Sequence, residues 1–209
     1  MIKRIMLVTL LAAAAGLAQT VNCLVAVVNG DIITLHDVQV AAEFGLGFAA
    51  AGEEGTDPRF AALEALIDRK VVLDLAREPG GVDEEELAAA LTGLRRGFGA
   101  ESFAAKLVKF GLAEKDLEPY LKGLILYERA LALRFSQTIP VSLTEVERHY
   151  RDTYVPEQTR RGLAPEPLDR VADRIESTIQ DERRTKQMSD WVRDLRKRAE
   201  IQIKKDCLK

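Results

Sequence analysis

The chain reads as a mainly α protein: a multi-helix module in which a short N-terminal strand pairs antiparallel with a C-terminal strand, and whose last helix is long. Three observations predict this. Apolar residues recur at helical spacing from Leu35 almost to the C-terminus; capping residues and glycines punctuate them; and only Leu24 to Val28 and Ile201-Gln202-Ile203 carry strand character. With 209 residues, 47% of them hydrophobic and 30% charged, the composition is that of a soluble globular protein of one domain, or one domain plus an extension.

Met1 to Ala18 has a basic start at Lys3 and Arg4, an apolar centre from Ile5 to Leu17, and small residues Gly16 and Ala18 placed for cleavage, the pattern of a secretory signal. An uncleaved anchor is the alternative, but the apolar centre is short of the ~20 residues that span a bilayer. Val21 and Asn22 before Cys23 lack the small residues of a lipoprotein site. Removing the signal leaves 28 basic against 33 acidic side chains, a net charge near -5. The late basic cluster, Arg183-Arg184 and Arg193 to Lys205, is interleaved with Asp181, Glu182, Asp190 and Asp194. That is a solvated helix face, and nothing favours nucleic acid.

Directly behind the signal-like segment, Val25 to Val28 is a β-branched run, followed by Asn29-Gly30 for a hairpin-type turn and Ile32-Ile33 for a second extended stretch. Thr34 with Asp37 caps a helix to about Phe44, carrying Leu35, Val38, Ala41 and Ala42. Gly45, Gly47, Gly52 and Gly55 break it. Asp57-Pro58 starts a helix with the stripe Phe60, Leu63, Leu66, Ile67, Val71 and Leu75, running to Glu78 and ended by Pro79-Gly80-Gly81. Asp83 with Glu86 opens a helix with Leu87, Leu91 and Leu94 that stops at Gly97. A short helix with Phe103, Leu107 and Phe110 exits at Gly111. Leu112 to Phe135 is the longest central helix, with Leu117, Leu121, Leu124, Ile125, Leu131 and Phe135 buried. Pro119 either marks a start only two or three residues earlier or kinks it. Ser142 with Glu145 caps a helix to about Tyr154. Residues 155–167 hold three prolines and a glycine without apolar period and read as a linker. One long helix follows, marked by Leu168, Val171, Ile175, Ile179, Trp191, Val192 and Leu195, with no strong apolar anchor between Asp181 and Gln187.

Cys23 precedes the first strand and Cys207 follows the last. Antiparallel strands bring the start of one to the end of the other, which predicts a disulfide in an oxidising compartment; two unpaired thiols are the alternative. His36 and His149 have no recognisable partner in a motif, and Glu84-Glu85-Glu86 suits the positive end of a helix without any chemistry. No catalytic, cofactor or metal site is read. Phe44, Leu46 and Phe48, in or beside the glycine-rich loop, and Phe98, flanked by glycines, are the candidates for an apolar peptide-binding rim. Ordinary core packing is the alternative for all four.

In the order of its elements the chain resembles the SurA-type periplasmic chaperones, which share a peptide-binding module with trigger factor. The resemblance rests on Ala26-Val27-Val28-Asn29-Gly30, then Ala65-Leu66-Ile67-Asp68, Gly111-Leu112, and Val141-Ser142-Leu143-Thr144-Glu145-Val146-Glu147-Arg148-His149-Tyr150. Ile175 to Ile203, with Trp191, Leu195, Arg196, Ala199 and Ile201, is similar to the segment that completes the family's core. It implies a chaperone core over 24–154, completed by 168–204. Only the thirteen residues 155–167 stand where the family carries its parvulin domain, against the ~50 an independent domain needs, so prolyl-isomerase activity is not carried over. The resemblance implies a periplasmic, cofactor-free chaperone holding unfolded or partly folded clients, outer-membrane proteins among them, in a groove between the core helices and the long helix. One rival is an assembly protein whose Asp169 to Ala199 binds a dedicated partner or a second copy of itself; another is an accessory subunit of a separate isomerase.

Overall fold

A computed structural model describes residues 23–46, 57–75 and 81–208. The signal-like segment lies outside them. The protein is mainly α, with a three-stranded antiparallel sheet and a long C-terminal helix. Strands β1 (Leu24–Val28) and β2 (Asp31–Thr34) form a hairpin, and β3 (Ile201–Ile203) pairs with the other edge of β1, giving the order β2-β1-β3. Asn29 and Gly30 take φ of 48° and 92° in the two-residue turn, as that turn demands. Val28 faces Ile201 and Ala26 faces Ile203, and Cys23 and Cys207 stand at disulfide distance with Cα atoms 6.0 Å apart.

Thr34 and Asp37 form a reciprocal capping box on α1 (Leu35–Phe44), and Gly45 closes that helix in the left-handed conformation. Helix α2 (Pro58–Leu75) buries Leu63, Ile67 and Val72 completely, but Phe60 and Leu75, the ends of its expected stripe, are exposed. Asp83 caps α3 (Glu84–Phe98), which runs one residue beyond Gly97. Gly99 alone then turns the chain into α4 (Ala100–Phe110), at φ 79° and ψ 148°, a conformation that requires glycine. Of the two readings of Pro119 the early start holds. A 3-10 turn over Glu114–Leu117 leads into α5 (Glu118–Arg134), and the proline sits in the first turn, where no backbone donor is needed.

The expected linker is partly helical. Ser142 and Glu145 cap α6 (Leu143–His149), a π-helical turn covers Tyr150–Tyr154, and α7 (Val155–Arg160) continues on the same path. Pro156 lacks the donor that would reach Asp152; the chain answers by widening, so that Val155 N–H bonds to the Tyr150 carbonyl five residues back. Gly162, at φ 72°, ends the helix, and Leu163 N–H closes onto the Gln158 carbonyl. Only residues 161–167 remain as an irregular connection.

Helix α8 (Leu168–Arg198) is 31 residues long, about 46 Å at 1.5 Å per residue. It joins two apolar clusters. Its C-terminal half places Val192 and Leu195 in the main core with β1, α1, α2 and α5. Its N-terminal half packs Val171, Ile175 and Ile179 on Val146, with Val141, Tyr150 and Tyr154 beside them. Residues 141–154, expected in the main core, therefore belong to a separate small arm. The middle of α8, which lacks an apolar anchor, has an ionic one: Arg183 pairs with Glu145 and donates to the Pro140 carbonyl at 2.9 Å.

Two predictions follow from these closures. The Cys23–Cys207 link spans 184 residues, for which loop-closure entropy gives about 5 kcal/mol. The Cys23→Ser/Cys207→Ser variant is expected to lose stability on that scale in chemical denaturation, and a difference under ~1 kcal/mol would remove the clasp from the fold's energetics. Glu145 is held at about 2 by the Ser142 N–H, then Arg183 and the Ser142 hydroxyl. Its folded value lies below the unfolded ~4.3, so its contribution is present above that pH and is lost as pH falls towards 2. The Ser142 amide shift should titrate near 2 and not in Glu145→Gln; a midpoint near the ordinary carboxylate value would contradict the cap geometry.

Candidate functional site

Phe44 is the last residue of α1 and only 1% exposed, with Phe98 and Phe103 edge-on to its ring at 6.1 and 5.8 Å. Leu46 is 2% exposed. Neither forms an exposed rim, because the left-handed Gly45 folds the chain back over α1: both Gly45 and Leu46 donate to the Ala41 carbonyl. Phe98 is half-buried, with the Lys106 ammonium 4.9 Å from its ring centre. Phe48 lies outside the described residues. Phe44, Leu46 and Phe98 nevertheless come together, as the floor and one end of a groove of about 530 Å³ between α3 and α5.

Helical spacing builds its two walls. Ala90, Gly93, Leu94 and Gly97 lie along α3, and Leu121, Leu124, Ile125 and Glu128 repeat that spacing along α5, so each helix presents one face to the gap. Glu128 is the one charged residue of this wall. A Cβ at Gly93 or Gly97 would meet nothing within 4 Å, so the α3 wall is open at both positions. Gly93, in the helix interior, costs about 1 kcal/mol relative to alanine, and Gly97, one residue from the end of α3, costs less. Apart from Glu128 the surface available is apolar and shallow, suited to taking up aliphatic or aromatic side chains with little sequence demand. Sequence reasoning missed both walls; their signal was the matched spacing of two helices far apart in the chain.

At the seam between the core helices and α8, where a groove was expected, Val71, Leu75, Arg134, Trp191 and Leu195 line a cavity of about 790 Å³, and elsewhere the seam is bridged by charge. Arg196 reaches Glu64 at 2.6 Å and Asp68 at 2.7 Å across from α2. Burial pushes the Asp68 carboxyl up against the pull of Arg196. Met188 and Val192 line the space beside this bridge together with Tyr127 and Leu131, but Asp68, Arg193 and Arg196 share it.

Of the histidines, His36 meets the Phe110 ring edge-on at 6.4 Å, whereas His149, expected to be exposed or satisfied, has its Nδ1 buried without a hydrogen-bond partner among the described residues. Glu86 pairs with Arg129 at 2.7 Å and so ties α3 to α5. Among the described residues no group of three or more potential ligands is placed to hold a metal ion, and no helix is long and apolar enough to cross a membrane. No family model matches the chain, and no curated protein is significantly similar to it.

The open glycine face carries its own test. Gly93→Ala is expected to raise stability by about 1 kcal/mol, or roughly 2–4 °C in unfolding midpoint, and Gly97→Ala by less, since helix propensity rises and no contact is lost. A fall in the midpoint would mean that the gap between α3 and α5 has no space for a methyl group.

Proposed function

We propose that the protein is an exported holding chaperone that takes apolar segments of unfolded polypeptides into the groove between α3 and α5, without cofactor or prolyl-isomerase activity. The observation that carries this reading is the groove itself, an apolar trough whose α3 wall includes two glycines with open space before them. The order of elements and the short connection before α8 support it through their resemblance to the SurA-type core. Outer-membrane proteins are the clients that this resemblance implies, and the signal-like N-terminus fits a periplasmic location.

Mechanistically the groove acts by transient burial. Each client Leu or Phe side chain taken out of water contributes about 1.5–3 kcal/mol, so one or two per encounter give weak, fast-exchanging contacts. Release then needs no energy source, because folding of the client buries the same side chains. The neighbouring Lys106 and Glu128 lie at the groove's margins, leaving its length apolar.

Light scattering of a dilute denatured outer-membrane protein, with and without the mature chain and with an inert protein as control, tests the reading. Suppression near stoichiometric amounts is expected, and Gly93→Leu/Gly97→Leu, which fills the groove from an unobstructed position, should abolish most of it while remaining folded. Equal suppression by the filled variant would remove the groove from the mechanism. No suppression by the folded parent would point to the dedicated-partner alternative.

A further inference from the structure

On the opposite side of α5 from the groove lies a second cavity, of about 560 Å³, between β2, α1, α2 and the start of α5. Ile32, Leu66, Leu73, Leu112 and Pro119 make most of its wall apolar. Arg69 of α2 also forms part of the wall and is only 5% exposed. Its Nη2 donates to the Leu46 carbonyl at 2.8 Å and its Nη1 to the Tyr120 carbonyl at 3.4 Å, while its Nε is buried with no acceptor. No carboxylate pairs with it among the described residues. Burial accordingly pushes the guanidinium below its ordinary value.

Glu128 acts on this buried cation only through space, without an ion pair, and among the described residues only two of the five N–H donors of Arg69 have acceptors. The acidic groups of this wall are already engaged. Asp37 accepts from the Thr34 N–H and hydroxyl and from the Tyr120 hydroxyl at 2.7 Å, and Asp116 accepts from the Ala113 N–H at 2.8 Å. Burial, followed by the bond to Asp37, keeps the Tyr120 phenol protonated well above its usual range. Lys70 is paired with Asp31 at the edge. Gly123 makes room for the arginine: a Cβ there would stand 3.2 Å from the Arg69 Cδ.

We propose that this cavity binds a carboxylate carried on an apolar body, with Arg69 as its anchor. The carboxylate takes the unused guanidinium donors and the apolar body lies along Ile32, Leu66 and Leu73. A polypeptide carboxy terminus with an aliphatic last residue and a free aliphatic acid share this chemistry. The cavity is separate from the α3–α5 groove, so carboxylate binding and suppression of aggregation succeed or fail independently.

Calorimetric titration of the mature chain with acetyl-Val-Leu as the free acid, the same peptide as the carboxamide, and octanoate tests this. The peptide acid is expected to bind saturably and the amide at least tenfold more weakly. Binding of octanoate without the peptide keeps the carboxylate chemistry and assigns the free acid as its source. Equal binding of acid and amide, or no saturable binding of either acid, overturns the proposal. Arg69→Met should lower affinity at least tenfold. Because that change also removes the ties to Leu46 and Tyr120, Ile32→Glu supplies a second variant: it sets a like charge at a wall position that is 55% exposed. It is expected to weaken binding at least threefold with an unchanged unfolding midpoint, and parental affinity in it overturns the assignment.

Discussion

The pairing of β1 with β3 is the contact on which the other packing depends. It joins the start of the described chain to its end, so every helix from α1 to α8 is threaded between two strands that must meet. Asn29 reinforces the closure from the hairpin turn: its N–H donates to the Glu200 carbonyl, its side-chain oxygen accepts from the Glu200 N–H, and its side-chain nitrogen reaches Asp74 at the end of α2. Because β1 is the central strand and buries Val25, Ala26 and Val28, losing β3 would leave unpaired one edge of the strand against which α2 packs. Contacts of such sequence separation form late and slowly. The cysteine pair beside them shortens the search in the oxidised chain.

Within that closure, charge specifies which helices meet. Glu43 at the end of α1 takes both Lys106 and Lys109 of α4, Arg129 of α5 takes Glu86 of α3, and Arg196 of α8 takes Glu64 and Asp68 of α2. Partly solvated pairs of this kind contribute modest stability one by one. Their value lies in register, since each ties elements distant in sequence at one position. The arm is built more lightly. Four buried side chains and the Glu145–Arg183 pair hold α6 to α8, so the arm is the natural site for local opening while the main core stays closed.

Much of this was legible in the sequence wherever a local rule decides structure. Thr34 with Asp37, Asp83, Ser142 with Glu145, and the turn at Asn29-Gly30 mark their elements through hydrogen bonds made within a few residues. The cysteine pairing was legible because it follows from strand direction alone. The helix through Pro156 was not, because its continuation depends on a widened turn that no propensity records, although Gly162 marks its end. The burial of Phe44 and Leu46 was open for a similar reason. A glycine-rich neighbourhood suggests exposure, but the left-handed Gly45 turns Leu46 back onto the core. The groove and the unpaired guanidinium arise where α2, α3 and α5 approach one another, and no single stretch of sequence contains that approach.

These two departures from local preference converge on one residue. Glycines at 93 and 97 weaken α3, and Arg69 leaves a cation in the interior; sequences that specify a fold tolerate such conflicts chiefly where something other than stability is served. Leu46 stands between them. Its side chain forms part of the groove floor, and its carbonyl holds the Arg69 guanidinium that walls the cavity behind α5. Helix α5 divides the two spaces, turning Leu121, Leu124 and Ile125 to one and Pro119, Tyr120 and Gly123 to the other. Among the described residues, the Arg69–Leu46 hydrogen bond is thus a polar contact shared by the walls of the two spaces.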